Sequence, residues 1–94
     1  MSLFIRLIEI ERYLPKVNNQ SDLHRAFGPL RRYCKTRTDL ALTLAPFADT
    51  DRGEAALVLI GQDRGQIEKE ARLLEEWMEL NLEGQGLRLE ASWL

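Results

Sequence analysis

The sequence predicts an α+β domain in the order strand, helix, strand, strand, helix, strand. The strands close into a four-stranded antiparallel sheet of order 4-1-3-2, with two helices on one face. Three observations lead there. Leu3–Ile8 and Ala55–Ile60 are apolar on both alternating faces, as strands in the middle of a sheet are. Leu40–Leu44 and Leu87–Trp93 are apolar on one face only, which suits an edge or a solvated side. Between them run two stretches whose apolar residues recur at helical spacing.

Taken in order, the first segment also fits a helix through Leu3, Leu7, Ile10 and Leu14. The isoleucines Ile5, Ile8 and Ile10 favour a strand, because β-branched side chains suit a pleat better than a helical turn. Pro15 and Asn18-Asn19-Gln20 end it, and Ser21 is placed to cap the first helix. Leu23, Ala26, Phe27, Leu30, Tyr33 and Cys34 form that helix's buried stripe. Gly28-Pro29 interrupts it; an interior proline costs about 3 kcal/mol, so the helix is either kinked or broken there.

Pro46 to Glu54 is a polar connection, with Asp49, Asp51 and Gly53 as turn formers. Asp63 caps the second helix, and Gln66 three residues on completes a capping box. Ile67, Ala71, Leu74 and Met78 make its main stripe, and Leu73, Trp77 and Leu80 widen the apolar arc toward the first helix. Gly84-Gln85-Gly86 stops it, and strand four closes the chain.

Composition bounds the reading. Residues 1–94 make a single domain, with 45% hydrophobic and 30% charged residues, the balance of an ordinary globular protein. No apolar run is long enough to span a membrane. Charges inside the first apolar stretch argue against a secretory signal, and a lone Cys34 makes no internal disulfide, so a cytoplasmic location is expected. Charge is segregated along the chain. Residues 1–37 hold eight Lys/Arg against three acids, and residues 38–94 hold five against twelve.

Reactive constellations are sparse. His24 and Cys34 are the only residues of their types and stand about 80° apart on an ideal helical wheel, without a third partner. Asp49, Asp51 and Glu54 lack the ligand spacing of a calcium loop, with Gly53 where a ligand is needed. Gly61-Gln62-Asp63-Arg64-Gly65 lacks the spacing of a phosphate fingerprint. No catalytic residue, metal site or cofactor is expected. Leu3-Phe4-Ile5-Arg6 resembles the first-strand motif of RNA-recognition motifs. Glu54, Ala56 and Leu59 nevertheless stand where that family needs stacking aromatics.

Two surfaces remain. The first helix presents Arg25, Arg32 and Lys35 outward with Arg31 beside them, a candidate face for phosphates or RNA. The sheet side left bare by the helices is a candidate dimer or partner face, for which Phe4, Ile8, Ala56, Val58 and Ile60 are the expected residues.

From Ser21 onward the chain also resembles the YlxP-like proteins, small bacterial proteins. The likeness lies in Ser21 at the helix start, Leu40-Ala41-Leu42-Thr43-Leu44-Ala45 as strand two, Asp51 before strand three and Glu90-Ala91-Ser92-Trp93 near the end. Asp22-Leu23-His24-Arg25 and Arg52-Gly53-Glu54 depart from the family's pattern, so no site residue carries over. The resemblance implies a ferredoxin-like βαββαβ fold and a non-enzymatic protein linked to ribosomes or translation. The expected function is therefore binding or assembly as a homodimer, with a protein partner and with RNA or the ribosome as a further candidate. A small-ligand-sensing module, with its site at the Gly61-Gln62-Asp63 turn, is the alternative.

Overall fold

A computed structural model describes all residues, Met1–Leu94. Strand β1 (Phe4–Tyr13) leads to helices α1 (Gln20–Ala26) and α2 (Gly28–Lys35). Strands β2 (Leu40–Leu44) and β3 (Arg52–Gly61) follow, then α3 (Arg64–Asn81) and β4 (Gln85–Trp93). The antiparallel sheet has the order β2-β3-β1-β4, which read from the other edge is 4-1-3-2.

Three helices replace the two expected. The break falls at Phe27, which ends α1 and precedes Gly28-Pro29, with Pro29 in the first turn of α2. Phe27 is fully buried, and its ring lies against Gly53 at the start of β3 together with Leu14 and Leu23. A side chain at Gly53 would collide with all three, so glycine lets them rest directly on the strand backbone. The cap of α1 is Asn19, not Ser21: the Asn19 side chain accepts from the Asp22 N–H at 2.8 Å. Asp63 does cap α3, accepting from the Gln66 N–H at 3.1 Å. The Gln66 side chain turns away to Glu70.

Register decides which residues share a face. Ile8 opposes Leu57 and Ile10 opposes Ala55, while Leu57 and Ala55 also oppose Leu42 and Leu44 on β2. These residues meet the α3 stripe of Ile67, Ala71, Leu74 and Met78, and Leu23, Ala26, Phe27 and Leu30 from α1 and α2. All helices therefore cover one side of the sheet. Trp77 packs on Tyr33 of α2 with ring centroids 4.7 Å apart, as the widened arc predicted, but Leu73 and Leu80 stay exposed.

The core face holds one charged residue deep inside. Arg12 is 4% exposed, and its guanidinium reaches the C-terminal turn of α3. Nη2 donates to the Leu82 carbonyl at 3.4 Å and to the Gly84 carbonyl at 3.2 Å, and Nε donates to the Glu83 carbonyl at 3.2 Å. Nη1 pairs with the Glu79 carboxylate at 3.4 Å. These carbonyls belong to the cap of α3 and the turn beyond it, so the guanidinium satisfies backbone acceptors of the α3–β4 connection while its one contact with the last turn of α3 is the Glu79 carboxylate. Arg12→Ala is expected to lose about 2–3 kcal/mol, or roughly 10–20 °C in thermal midpoint, and Arg12→Lys to recover less than half, since an ammonium cannot span the turn. Thermal and urea unfolding of the three chains check this.

Candidate functional site: the open face of the sheet

The side of the sheet away from the helices carries Ile5, Leu7, Glu9, Glu11 and Tyr13 along β1, and the exposed Leu3 continues that alternation just before the strand. Beside them on β3 stand Ile60, Val58, Ala56, Glu54 and Arg52, paired with Ile5, Leu7, Glu9, Glu11 and Tyr13 in turn. Ala41 and Thr43 of β2 and Ser92, Glu90 and Arg88 of β4 complete the face. Leu94 extends it, tied to β1 by its N–H to the Ile5 carbonyl at 2.9 Å.

This placement corrects the expected face in one respect. Ala56, Val58 and Ile60 do lie on the open side, but Phe4 and Ile8 lie on the covered side. Ile8 is fully buried and Phe4 packs against the core. Their open-side counterparts are Ile5 and Leu7. The first strand is apolar on both faces, so its composition cannot choose between the two sets; only pairing with β3 does.

The face has two ends. Leu3, Ile5, Leu7, Val58, Ile60 and Leu94 make a continuous apolar end, where Leu3 is 58% and Ile60 41% exposed. Glu9, Glu11, Glu54 and Glu90, with Arg52 and Arg88, make a charged end. Arg52 pairs with Glu11 at 3.6 Å and Arg88 with Glu90 at 3.3 Å. Tyr13 is the one aromatic ring on this side, because Phe4 and Trp93 sit on the covered side in edge-to-face contact, centroids 6.3 Å apart. The face is therefore no stacking platform for bases.

The basic residues of the expected anion face are divided between two helices. Arg25 lies on α1 and pairs with Asp22 at 3.4 Å. Arg31, Arg32 and Lys35 lie on α2, exposed and outside every ion pair of the structure.

The Gly61-Gln62-Asp63 turn walls a shallow hollow with Asp39, Gln66, Ile67 and Glu70. Its carboxylates are already engaged. Asp63 caps α3, while Arg37 donates twice to Asp39, at 2.9 and 2.8 Å, and once to Glu70 at 2.8 Å. Arg37 joins the chain after α2 to α3, and neither its fork nor its partners show in the local sequence pattern. The hydrogen bonds from Arg37 hold the Asp39 carboxyl below the ordinary carboxylate range. Burial pushes the Cys34 thiol up, more than nearby Arg37 pulls it down. A raised thiol pKa makes a poor nucleophile at neutral pH.

No family model matches the chain, and no curated protein matches its sequence. Among solved structures it is similar to a chain described as a de novo designed protein, Foldit4, with 15% identity and a TM-score of 0.53 over 99% of this chain and 97% of that one. At that identity the likeness is one of fold alone. No helix is long and apolar enough to cross a membrane.

A depressed carboxyl stabilises the fold above its unfolded pKa, near 3.9, and that share is lost as pH falls through the folded value. Arg37→Ala is therefore expected to be less stable than the parent chain at neutral pH. Solvent screening of these half-exposed groups limits the gap to about 1 kcal/mol, and it should narrow below pH 4. Urea unfolding of both chains across that range measures it.

Proposed function

We propose that this chain is a ferredoxin-like binding and assembly module, not an enzyme, and that it works through the open sheet face by pairing with a second copy. The observation that carries the reading is the uncovered apolar end built from Leu3, Ile5, Leu7, Val58, Ile60 and Leu94. Burying a large aliphatic side chain contributes about 1.5–3 kcal/mol, and a self-complementary patch suits an isologous pair. Cys34, buried with a raised pKa, and His24, on a separate helix, fit structural roles better than catalytic ones. The YlxP-like register and a cytoplasmic setting belong to this same proposal.

Val58→Lys places a charge in the middle of the patch. It is expected to weaken self-association at least tenfold while the thermal midpoint of the monomer moves little. Sedimentation across about 10–200 μM reads the change. A parent chain that stays monomeric over that range, or a variant that associates equally well, rejects the reading.

A second reading rests on Arg31, Arg32 and Lys35, three cations of α2 without carboxylate partners. They support a salt-sensitive, sequence-indifferent contact with RNA phosphates. Arg32→Glu with Lys35→Glu should abolish retention of structured RNA at low salt and leave the fold unchanged. Equal retention by the reversed chain would leave α2 as a solvated helix.

A further inference from the structure

Strand β4 is an edge of the sheet, and its backbone alternation can be read from one bond. The Leu94 N–H donates to the Ile5 carbonyl, so Ser92, Glu90 and Arg88, paired with Leu7, Glu9 and Glu11, also turn their backbone groups toward β1. Ala91 and Leu89 between them turn N–H and C=O outward, with no strand beyond. Natural edges are commonly blunted by charged side chains, especially Lys, by Pro or by a bulge. From Arg88 to Trp93 this one has no Pro, the bulge of β4 lies before it, opposite Glu11/Arg12, and its two charges, Arg88 and Glu90, are of opposite sign, so they protect it against some registers only. Leu87 and Leu89 are 46% and 43% exposed, beside a hollow that Ile10 of β1 and Met78 and Glu79 of α3 also line.

The geometry points to this edge as a docking strand for a second copy of the chain, antiparallel and related by a two-fold axis through Leu89, so that two sheets join edge to edge. Charge selects that register. With the axis at Leu89, Arg88 stands opposite the second copy's Glu90 and Glu90 opposite the second copy's Arg88, while Leu89 meets its own copy. An axis one residue later sets Glu90 against Glu90, and one residue earlier sets Arg88 against Arg88; like charges directly opposite destabilise a pair. An axis at Ala91 places Glu90 against Ser92 and leaves Arg88 facing Leu94. Only the Leu89 register pairs every charge and joins the outward N–H and C=O of Leu89 to their own copies.

This contact lies at the rim of the sheet and is independent of the open face, so its test uses the Val58→Lys chain, in which the face is closed to a second copy. Sedimentation at low ionic strength is expected to show that chain dimerising, with the Leu89 and Ala91 amides gaining protection from hydrogen exchange as concentration rises. Adding Arg88→Glu should weaken the dimer about tenfold or more, adding Glu90→Arg should do the same, and the two together should restore it to within about threefold. Ile60→Lys replaces Val58→Lys if the latter unfolds. A face-blocked chain that remains monomeric, or charge reversals that leave its association unchanged, would overturn the proposal. If the parent and the Val58→Lys chain associate equally while the charge pattern holds, the edge stands and the open-face reading fails.

Discussion

The guanidinium of Arg12 is the contact on which the second half of the fold depends. A cation 4% exposed on the core face of a strand is tolerable only when acceptors surround it. Here they come from the Leu82, Glu83 and Gly84 carbonyls, in the turn that leads from α3 to β4. The contact therefore ties the turn after α3 to β1 and anchors the start of β4. Gly84 makes the approach possible. Its φ of +80° lies in the left-handed region, and a Cβ there would run into the Tyr13 carbonyl. Gly86 then stands opposite Arg12, and the bulge that follows brings β4 back into step with β1 at Arg88. Since α3 packs mainly on β3 and β1, β4 is left with its apolar residues only partly covered.

A second tie works on the other half. Asp51, in the left-handed region, accepts from the Leu14 N–H at 2.8 Å and donates its own N–H to Val17 at 2.9 Å. Its carboxylate accepts from the Lys16 N–H at 3.1 Å. The connection leaving β1 is thus sewn to the connection entering β3, and Leu14, Val17, Leu23 and Phe27 close the core beneath. An aspartate tolerates this backbone better than a branched residue would, since its short side chain bonds locally.

What was legible in the sequence follows from the range of each interaction. The α3 stripe of Ile67, Ala71, Leu74 and Met78 and the cap at Asp63 are set by spacing within a few residues, and both emerged where periodicity placed them. The break at Phe27 was half legible. Gly28-Pro29 signals an interruption, but whether the helix bends or stops depends on the burial of Phe27 against Gly53, far along the chain. Asn19 and Ser21 are both good caps, and nothing local chooses Asn19. The open face was legible as a surface but not as a residue set, because β1 is apolar at Phe4 and Ile8 as well as at Ile5 and Leu7. Arg12 gave no signal at all, since its partners lie about seventy positions away.

The open face also restricts how a second copy can approach it. Its charged end contains two cross-strand like pairs, Glu9 opposite Glu90 and Glu11 opposite Glu54. Such pairs destabilise a sheet by a few tenths to about 1 kcal/mol each, and Arg52 and Arg88 beside them offset part of that. Placing a second sheet squarely over all of it would bring the acids of both copies together in a partly dehydrated layer, where charge repulsion strengthens. Centring the contact on Leu7 and Val58 avoids this, since the charged ends then diverge into solvent. In the proposed pair the acids would thus oppose full overlap and confine the contact to the apolar end.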